Sequence, residues 1–565
     1  MDKITGSLLK SFTKQCELEK LHESEQFEHF ANYSILSKQF RGSFELDEVH
    51  SGAGGDCAID GLYILVNGRL INDSDELREI VESSGHLDAE IGFIQTKTTS
   101  SFSGADIGAF IHGIKDFLSD EPKLVQNETI KTNKDVWEDI ISMSSYMVNR
   151  RPICKMYYVC TGKWVNDQNL SAVIDSGVSE VDTIGIFEDV QFEPYGASEI
   201  QKLYHETKNK LSSTITFQNR ITLPDIEGVS EGYLGVIPLK EYLKLIQDEN
   251  KTIHSIFDDN VRDFQGENPV NKKIKRTLED KKFDIFCVLN NGVTVVASSI
   301  TPAGNRFTIR DYQVVNGCQT SHILHECQSI EGVDQVQVPI KIVVTADEDI
   351  KTSITLATNS QTEVKAEQLE ALSIFQKQLE LYYEAEKTSL PLYYERRSQQ
   401  YNSVTGIKRN QVISIPIQIK SFASMFLNSP HLVSGYYGTI VKRFSGSIFA
   451  EGHKYLPYYV SSLCYYRVEQ FFRSGELKTE NKKARFHIML IVRLLGMGAE
   501  LDPINSNKIE KKSEVFKNLL LNEAEALSMF KKAETIFENS GLDMEKKQYK
   551  SESETELLIK AYVQH

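Results

Sequence analysis

Gly54-Gly55-Asp56-Cys57-Ala58-Ile59-Asp60-Gly61 leads into the apolar run Leu62-Tyr63-Ile64-Leu65-Val66, and a second apolar run, Ile91-Gly92-Phe93-Ile94, ends in Gln95-Thr96-Lys97. Both runs read as strands. Strand side chains alternate faces, so Gln95 and Lys97 share a face and Thr96 points away. With Asp60 opposite them, a carboxylate, an amide oxygen and an ammonium converge, and the Thr96 carbonyl adds a third oxygen. That donor set suits a hard divalent cation, Mg2+ or Mn2+. Lys97 would then orient or help deprotonate an attacking water and stabilise charge on a phosphate. Asp56 is an alternative acid, but Asp60 lies one glycine ahead of the strand and sits better on it.

The flanking pattern supplies a mixed sheet with helices. Asn67-Gly68 marks a hairpin turn within 62–71, and Ser74 can cap a short helix over 75–83. An amphipathic helix is expected over 107–118, strands over 156–160 and 183–187, and a closing helix over 197–208. Upstream, Glu25-Gln26-Phe27-Glu28-His29-Phe30-Ala31-Asn32-Tyr33 is an amphipathic helix.

This arrangement resembles the PD-(D/E)xK nuclease superfamily, particularly its Mrr-like branch, where Gln often replaces the second acid. The resemblance rests on residues 54–61 and on Gln95-Thr96-Lys97. Glu28 is similar to the superfamily's first-helix glutamate, the alternative being a solvated helix face. The resemblance implies a Mg2+-dependent endonuclease with Asp60, Gln95, Lys97 and Glu28 as catalytic residues. Asp60, Gln95, Thr96 and Glu28 would hold the metal, and DNA is favoured over RNA.

Four ordered segments in the middle of the chain are similar to the AIPR (abortive infection phage resistance) family. They are Asn260-Val261-Arg262-Asp263-Phe264 with Asn268-Pro269-Val270-Asn271; Val288-Leu289-Asn290-Asn291-Gly292-Val293-Thr294; Val314-Val315-Asn316-Gly317-Cys318-Gln319-Thr320; and Ala357-Thr358-Asn359-Ser360-Gln361-Thr362. Tyr393-Tyr394-Glu395-Arg396-Arg397 and Tyr195-Gly196-Ala197 fit as well. The resemblance implies a restriction-endonuclease-like domain in front, a role in bacterial defence against phage, and restraint until infection is sensed, with a phage-derived molecule as a trigger.

Composition sets the outer bounds. The 565 residues are 40% hydrophobic and 25% charged, a soluble globular balance with material for about three domains. No apolar run approaches the roughly 18–20 residues that span a bilayer, and the first residues lack a signal-like apolar core. Eight scattered cysteines without CxxC pairs suit reduced thiols in a cytoplasm. The net charge of −16 excludes passive coating of nucleic acid, so contact with phosphates must come from local patches. Arg396, Arg397 and Arg409 are the binding candidates here, because Tyr393, Tyr394 and Tyr401 are interleaved with them and would stack bases beside phosphates.

In the middle part, strands are expected over 286–289, 293–298, 307–315 and 338–345, after a connection over 210–232. Asn316-Gly317 breaks a strand ahead of a helix over 319–328, a geometry that presents backbone N–H groups to an anion. Asn291, Asn316, Gly317, Gln319, Thr320, Asn359 and Gln361 are therefore second-site candidates for nucleic acid or another ligand. Alternatively, these amides satisfy one another and the loop backbone. Cys318, His322, His325 and Cys327 match no standard zinc spacing.

The expectation is thus a mixed α/β protein in three parts: a restriction-endonuclease-like mixed sheet flanked by helices at 1–212, a central α/β AIPR domain at 229–365, and a mostly helical domain at 366–565. Its function would be metal-dependent nucleic-acid hydrolysis in anti-phage defence, in the cytoplasm and without membrane attachment. Cutting both strands of a duplex would favour a homodimer. The rivals are a non-catalytic sensor of nucleic acid or phage protein with a degenerate core, and a nucleotide-regulated switch at Asn316-Gly317, a loop too short to be a P-loop.

Overall fold

The most continuously apolar segments of the N-terminal part become its central strands. β1 (Gly61–Val66) is buried throughout, and so is most of β3 (Ala89–Lys97). The computed structural model describes residues 1–40, 42–52, 54–148, 150–208, 211–247, 253, 256, 269–359, 363–396, 400–402, 404, 406–433, 440–441, 443–444, 446–542 and 550–564. The chain divides into two compact units. The first comprises Met1–Leu9, Glu23–Asn72 and Val81–Gln368, the second Lys10–His22, Asp73–Ile80 and Leu369–His565.

The first unit holds two sheets. The N-terminal sheet has the order β2-β1-β3-β4-β5, with β2 (Arg69–Leu70), β4 (Ile153–Cys160) and β5 (Asp189–Tyr195). β1 runs antiparallel to β2 and β3, whereas β3, β4 and β5 are parallel. Parallel strands need crossovers, and helices supply them. The helices of the N-terminal 208 residues are α1 (Lys3–Cys16), α2 (Glu23–Gln39), α3 (Ser74–Ser84), α4 (Gly104–Leu118), α5 (Glu128–Ser142), α6 (Gln168–Asp182) and α7 (Ala197–Lys208), of which the later part of α1 and most of α3 belong to the second unit. Side-chain caps start several of them: Ser103 accepts the Asp106 N–H, Asn127 that of Ile130, and Asp167 those of Asn169 and Leu170.

The expected strand over 183–187 does not form. α6 runs on to Asp182, the Thr183 hydroxyl bonds back to the Ser179 carbonyl, and Gly185 turns the chain at φ +79°. The strand starts only at Asp189.

The central sheet has the order β6-β10-β9-β11-β8-β7. Its strands are β6 (Ser212–Thr216), β7 (Asn219–Thr222), β8 (Glu231–Pro238), β9 (Val293–Ala303), β10 (Arg306–Asn316) and β11 (Gln337–Val344). β9 pairs with β11 in parallel and with β10 antiparallel. Residues 210–232, expected to be a connection, instead supply both edge strands of this sheet. The helices here are α8 (Leu239–Ile246), α9 (Pro269–Glu279), α10 (Phe286–Leu289), α11 (Cys318–Glu326) and α12 (Glu348–Asn359). α10 replaces an expected strand. The Asn290 amide closes the helical turn on the Phe286 carbonyl at 2.9 Å, and burying Phe286 alone is enough to anchor so short a run.

The second unit is mostly helical: α13 (Glu363–Ala385), α14 (Ile415–Phe426), α15 (Leu456–Arg473), α16 (Arg485–Met497), α17 (Asn507–Leu521), α18 (Glu523–Asn539) and α19 (Glu552–Gln564), with a small parallel pair β12 (Tyr393–Glu395) and β13 (Val412–Ser414). Its tyrosine-dense stretch is core. Tyr458 stacks on Phe422 with centroids 3.9 Å apart, a contact contributing about 1 kcal/mol beyond its buried area. No described helix is long and apolar enough to cross a membrane.

Candidate active site

Asp60 lies one residue beyond the last register pair of β1 and β3, Gly61 with Ile94, so it meets the end of β3 edge-on. Its Oδ2 accepts three hydrogen bonds: from Gln95 Nε2 at 2.7 Å, the Thr96 N–H at 2.7 Å and Thr96 Oγ1 at 2.9 Å. Its carbonyl accepts from Asn32 Nδ2 and the Ser51 N–H, each at 3.1 Å. Gly61 makes that approach of α2 feasible, because a Cβ there would lie 2.3 Å from Asn32 Oδ1.

The preceding turn is strained and braced. Cys57 and Ala58 take φ of +58° and +59°, left-handed values unfavourable for residues with a Cβ. Asp56 accepts the Ala58 N–H at 2.9 Å and so closes the turn. Asn127, the cap of α5, holds the far side: its N–H donates to the Gly55 carbonyl and its Nδ2 to the Ser51 carbonyl, both at 2.8 Å.

Glu28, on α2, joins the group. Its Oε2 lies 2.8 Å from His50 Nε2, and the two side chains are largely buried. Burial first, and then the Glu28 charge, raise the Asp60 carboxyl to about 6; hydrogen bonds from Thr96 and the charge of Lys97 oppose the rise. Two carboxylates crowded in a desolvated site favour an added positive charge. Lys97 itself, half-buried at the end of β3, has no ion-pair partner among the described residues.

Gln95 Oε1 is buried and accepts no hydrogen bond from the described residues. Such an oxygen is available to accept from water or to contact a bound ligand. Thr96 departs from the expected part of carbonyl donor: its N–H and hydroxyl hold Asp60, and its carbonyl accepts from Gln95 Nε2 at 3.3 Å. Among the described residues no three His, Cys, Asp or Glu side chains cluster as a metal site, so any cation here would rest on the Glu28–Asp60 pair and amide oxygen.

Sequence reasoning missed His50 and Tyr158. His50 faces Gly61 across an isolated bridge, a pairing over the glycine-rich turn that its position at the mouth of that turn could have suggested. Tyr158 is the register partner of Gln95 on β4, with its hydroxyl buried.

Compared with known proteins, residues 257–540, half of the chain, match the family model described as AIPR protein. The chain belongs to the AIPR family. Membership ties it to abortive-infection defence against phage. No curated protein and no solved structure matches the chain. The AIPR match begins after the N-terminal sheet, so the Asp60 cluster stands on its own geometry.

Within the AIPR-matched part, the strand–glycine–helix geometry is present: β10 ends at Asn316, Gly317 takes φ +99°, and α11 follows. Its polar groups are engaged locally. The N–H and hydroxyl of Ser321 both donate to the Gly317 carbonyl, Tyr242 OH lies 2.6 Å from Ser321 Oγ, and Thr320 is buried. Asn316 and Gln319, half-buried, already interact with other groups of the protein. Asn291 is exposed on the turn before β9, where Gly292 takes φ +82°. His322, half-buried, is pushed down to about 4 by desolvation and by His325 and His86.

Arg396 does not offer its charge to a ligand. Its Nε bonds Glu380 Oε2 at 2.9 Å, with both side chains about nine-tenths buried. Arg409, half-buried in a short 3-10 turn, engages another group as well. Residues 260–264 and 268, Gln361 and Arg397 lie outside the described residues, as does the Asn359 side chain.

Proposed function

We propose that this AIPR protein is a metal-dependent nuclease whose active site is the Glu28–Asp60–Gln95–Lys97 cluster. The observation that carries the reading is the convergence of these four side chains at one sheet end, with Asp60 raised to about 6 beside Glu28 and the Gln95 amide oxygen without a donor among the described residues. The residues fit a hard divalent cation, Mg2+ or Mn2+. Two carboxylates and a neutral oxygen are the ligand types it prefers, and a positive charge between Glu28 and Asp60 would relieve their repulsion.

Asp60, Glu28 and Gln95 would hold the ion. When bound, it supplies Lewis-acid polarisation of a phosphodiester and acidifies nearby water. Thr96 keeps Asp60 aimed through its N–H and hydroxyl, and His50 fixes one oxygen of Glu28. Lys97 supplies a cation for the scissile phosphate and orients water for in-line attack. DNA is the favoured substrate, the reaction being hydrolysis in abortive-infection defence, with restraint before infection.

The test is cleavage of plasmid, single-stranded DNA and RNA by the full chain with Mg2+ or Mn2+, alongside Asp60→Ala and Lys97→Ala. Each variant should lose about a thousandfold in rate while still binding nucleic acid. Cleavage unchanged in both variants would discard the assignment, leaving a sensor as the reading.

A further inference from the structure

The loops that follow β3 and β4 are clamped together at the sheet end that carries Gln95 and Lys97. The Thr161 N–H donates to the Thr99 carbonyl at 3.0 Å, and its hydroxyl lies 3.0 Å from the carbonyls of both Thr98 and Thr99. Gly162 allows the contact, since a Cβ there would lie 2.2 Å from the Ser100 carbonyl oxygen. The Gly162 carbonyl in turn accepts the Ala197 N–H at 2.7 Å, so Tyr195-Gly196-Ala197 forms the third side of the clamp.

This clamp holds two aromatic rings, one from each loop. Phe102 and Trp164 stand edge to face, with centroids 4.9 Å apart and planes at 70°. Phe102 also lies 5.8 Å from Tyr158, the register partner of Gln95. The aromatic group is therefore continuous with the candidate active site. Phe102 and Trp164 are only half-buried, and Lys163 and Val165 beside them are exposed.

We propose that Phe102 and Trp164 form a platform on which an unpaired nucleobase stacks next to the scissile phosphate, so that the substrate strand is single-stranded or locally opened at the cut. The position of that phosphate rests on the nuclease reading. Ligands of open α/β sheets bind beyond the carboxyl ends of parallel strands, and this platform lies there on β3 and β4. Aromatic faces accept any base, while a base inside a duplex has its faces covered by its neighbours. Lys97 and Lys163 supply cations for the backbone. Asp106, whose charge reaches Tyr158, would repel a phosphate on that side, which places base rather than backbone over the rings. Asp167 is occupied as the cap of α6.

The chain has two tryptophans, and Trp137 is buried against Phe187, so ligand-dependent changes in emission report Trp164. The full-length protein in EDTA is titrated with thymidine or uridine homopolymers of about twenty nucleotides and with a blunt duplex of equal length. Single strands should quench emission in the wild type and in Trp137→Phe but not in Trp164→Phe, and the duplex should not. Trp164→Ala should weaken single-strand binding about tenfold, and Trp164→Phe, which keeps a stacking face, less than about threefold. Comparison of the two homopolymers separates DNA from RNA. Absence of quenching with either strand, whether or not it binds, overturns the platform, as does a folded Trp164→Ala variant that binds like wild type. If Trp164→Ala fails to fold by circular dichroism, the quenching contrast between Trp137→Phe and Trp164→Phe decides alone. Metal-dependent cleavage without quenching sinks only the platform; quenching without cleavage sinks only the nuclease reading.

Discussion

β3 and β10 end alike in sequence, each running out into amide side chains ahead of a helix, but their polar groups meet opposite fates. At β3, the Glu28 charge acts on Asp60, and among the described residues the Gln95 oxygen accepts nothing and Lys97 has no ion-pair partner. At β10, Ser321 returns both its donors to the Gly317 carbonyl, and Asn316 and Gln319 already engage the fold. The family match covers β10 and leaves out β3. Polar groups short of partners mark a candidate site, and the density of a family pattern need not coincide with it.

The contrast is sharpest in turnover. Asp60→Ala should cost about a thousandfold in cleavage, whereas Asn316→Ala and Gln319→Ala should each cost less than about threefold. Comparable losses at both strand ends, measured as initial rates on one DNA substrate, would erase the distinction.

Stability against pH gives the next effect. Asp60 titrates at about 6 when folded and near 3.8 when unfolded, so the folded state binds the extra proton between those values. The contribution of Asp60 to the stability of the metal-free protein should therefore fall as pH rises from 4 to 6 and level off above. Asp60→Asn should remove that fall and gain up to about 3 kcal/mol at pH 8, with no difference below pH 4. Denaturant midpoints across this range check it; a wild type that gains stability over pH 4–6 relative to Asp60→Asn would contradict the electrostatics.

Divalent metal should act in the opposite direction. Saturating Mn2+ or Mg2+ should stabilise the wild type by about 2 kcal/mol, seen as a higher Tm. Asp60→Ala should lose that gain and Asn316→Ala keep it; an equal gain in Asp60→Ala would place the metal elsewhere. The smallest change concerns His50. Releasing Glu28 through His50→Ala should weaken metal affinity about tenfold, and His50→Gln, which can still hold Glu28, should recover part of it. Isothermal titration distinguishes this from simple loss of folding.

The strands at 61–66, 89–97 and 153–160 were legible because apolar continuity is a local signal, whereas alternation misplaced Thr96, whose hydroxyl turns to Asp60 instead of away from it. Glu28 was legible only through resemblance. His50, Asn32 and Tyr158 were not, because they reach the site through the packing of α2, the β-bridge to Gly61 and the register of β4, none of which spacing reveals. The run 286–289 is equally apolar as strand or helix, and the Asn290 side chain decided it. Arg396 was misjudged for the same reason: its neighbours in sequence are tyrosines, but its partner is Glu380 on α13.

Asp60 is steadied by groups that lie outside its own strand: the β3 end takes one carboxylate oxygen, and α2 takes the carbonyl. On the nuclease reading proposed above, this amounts to a form of containment: a proteolytic fragment or a nascent chain that lacks the 89–97 segment has no means to aim that carboxylate, so synthesis and degradation would both pass through inert species.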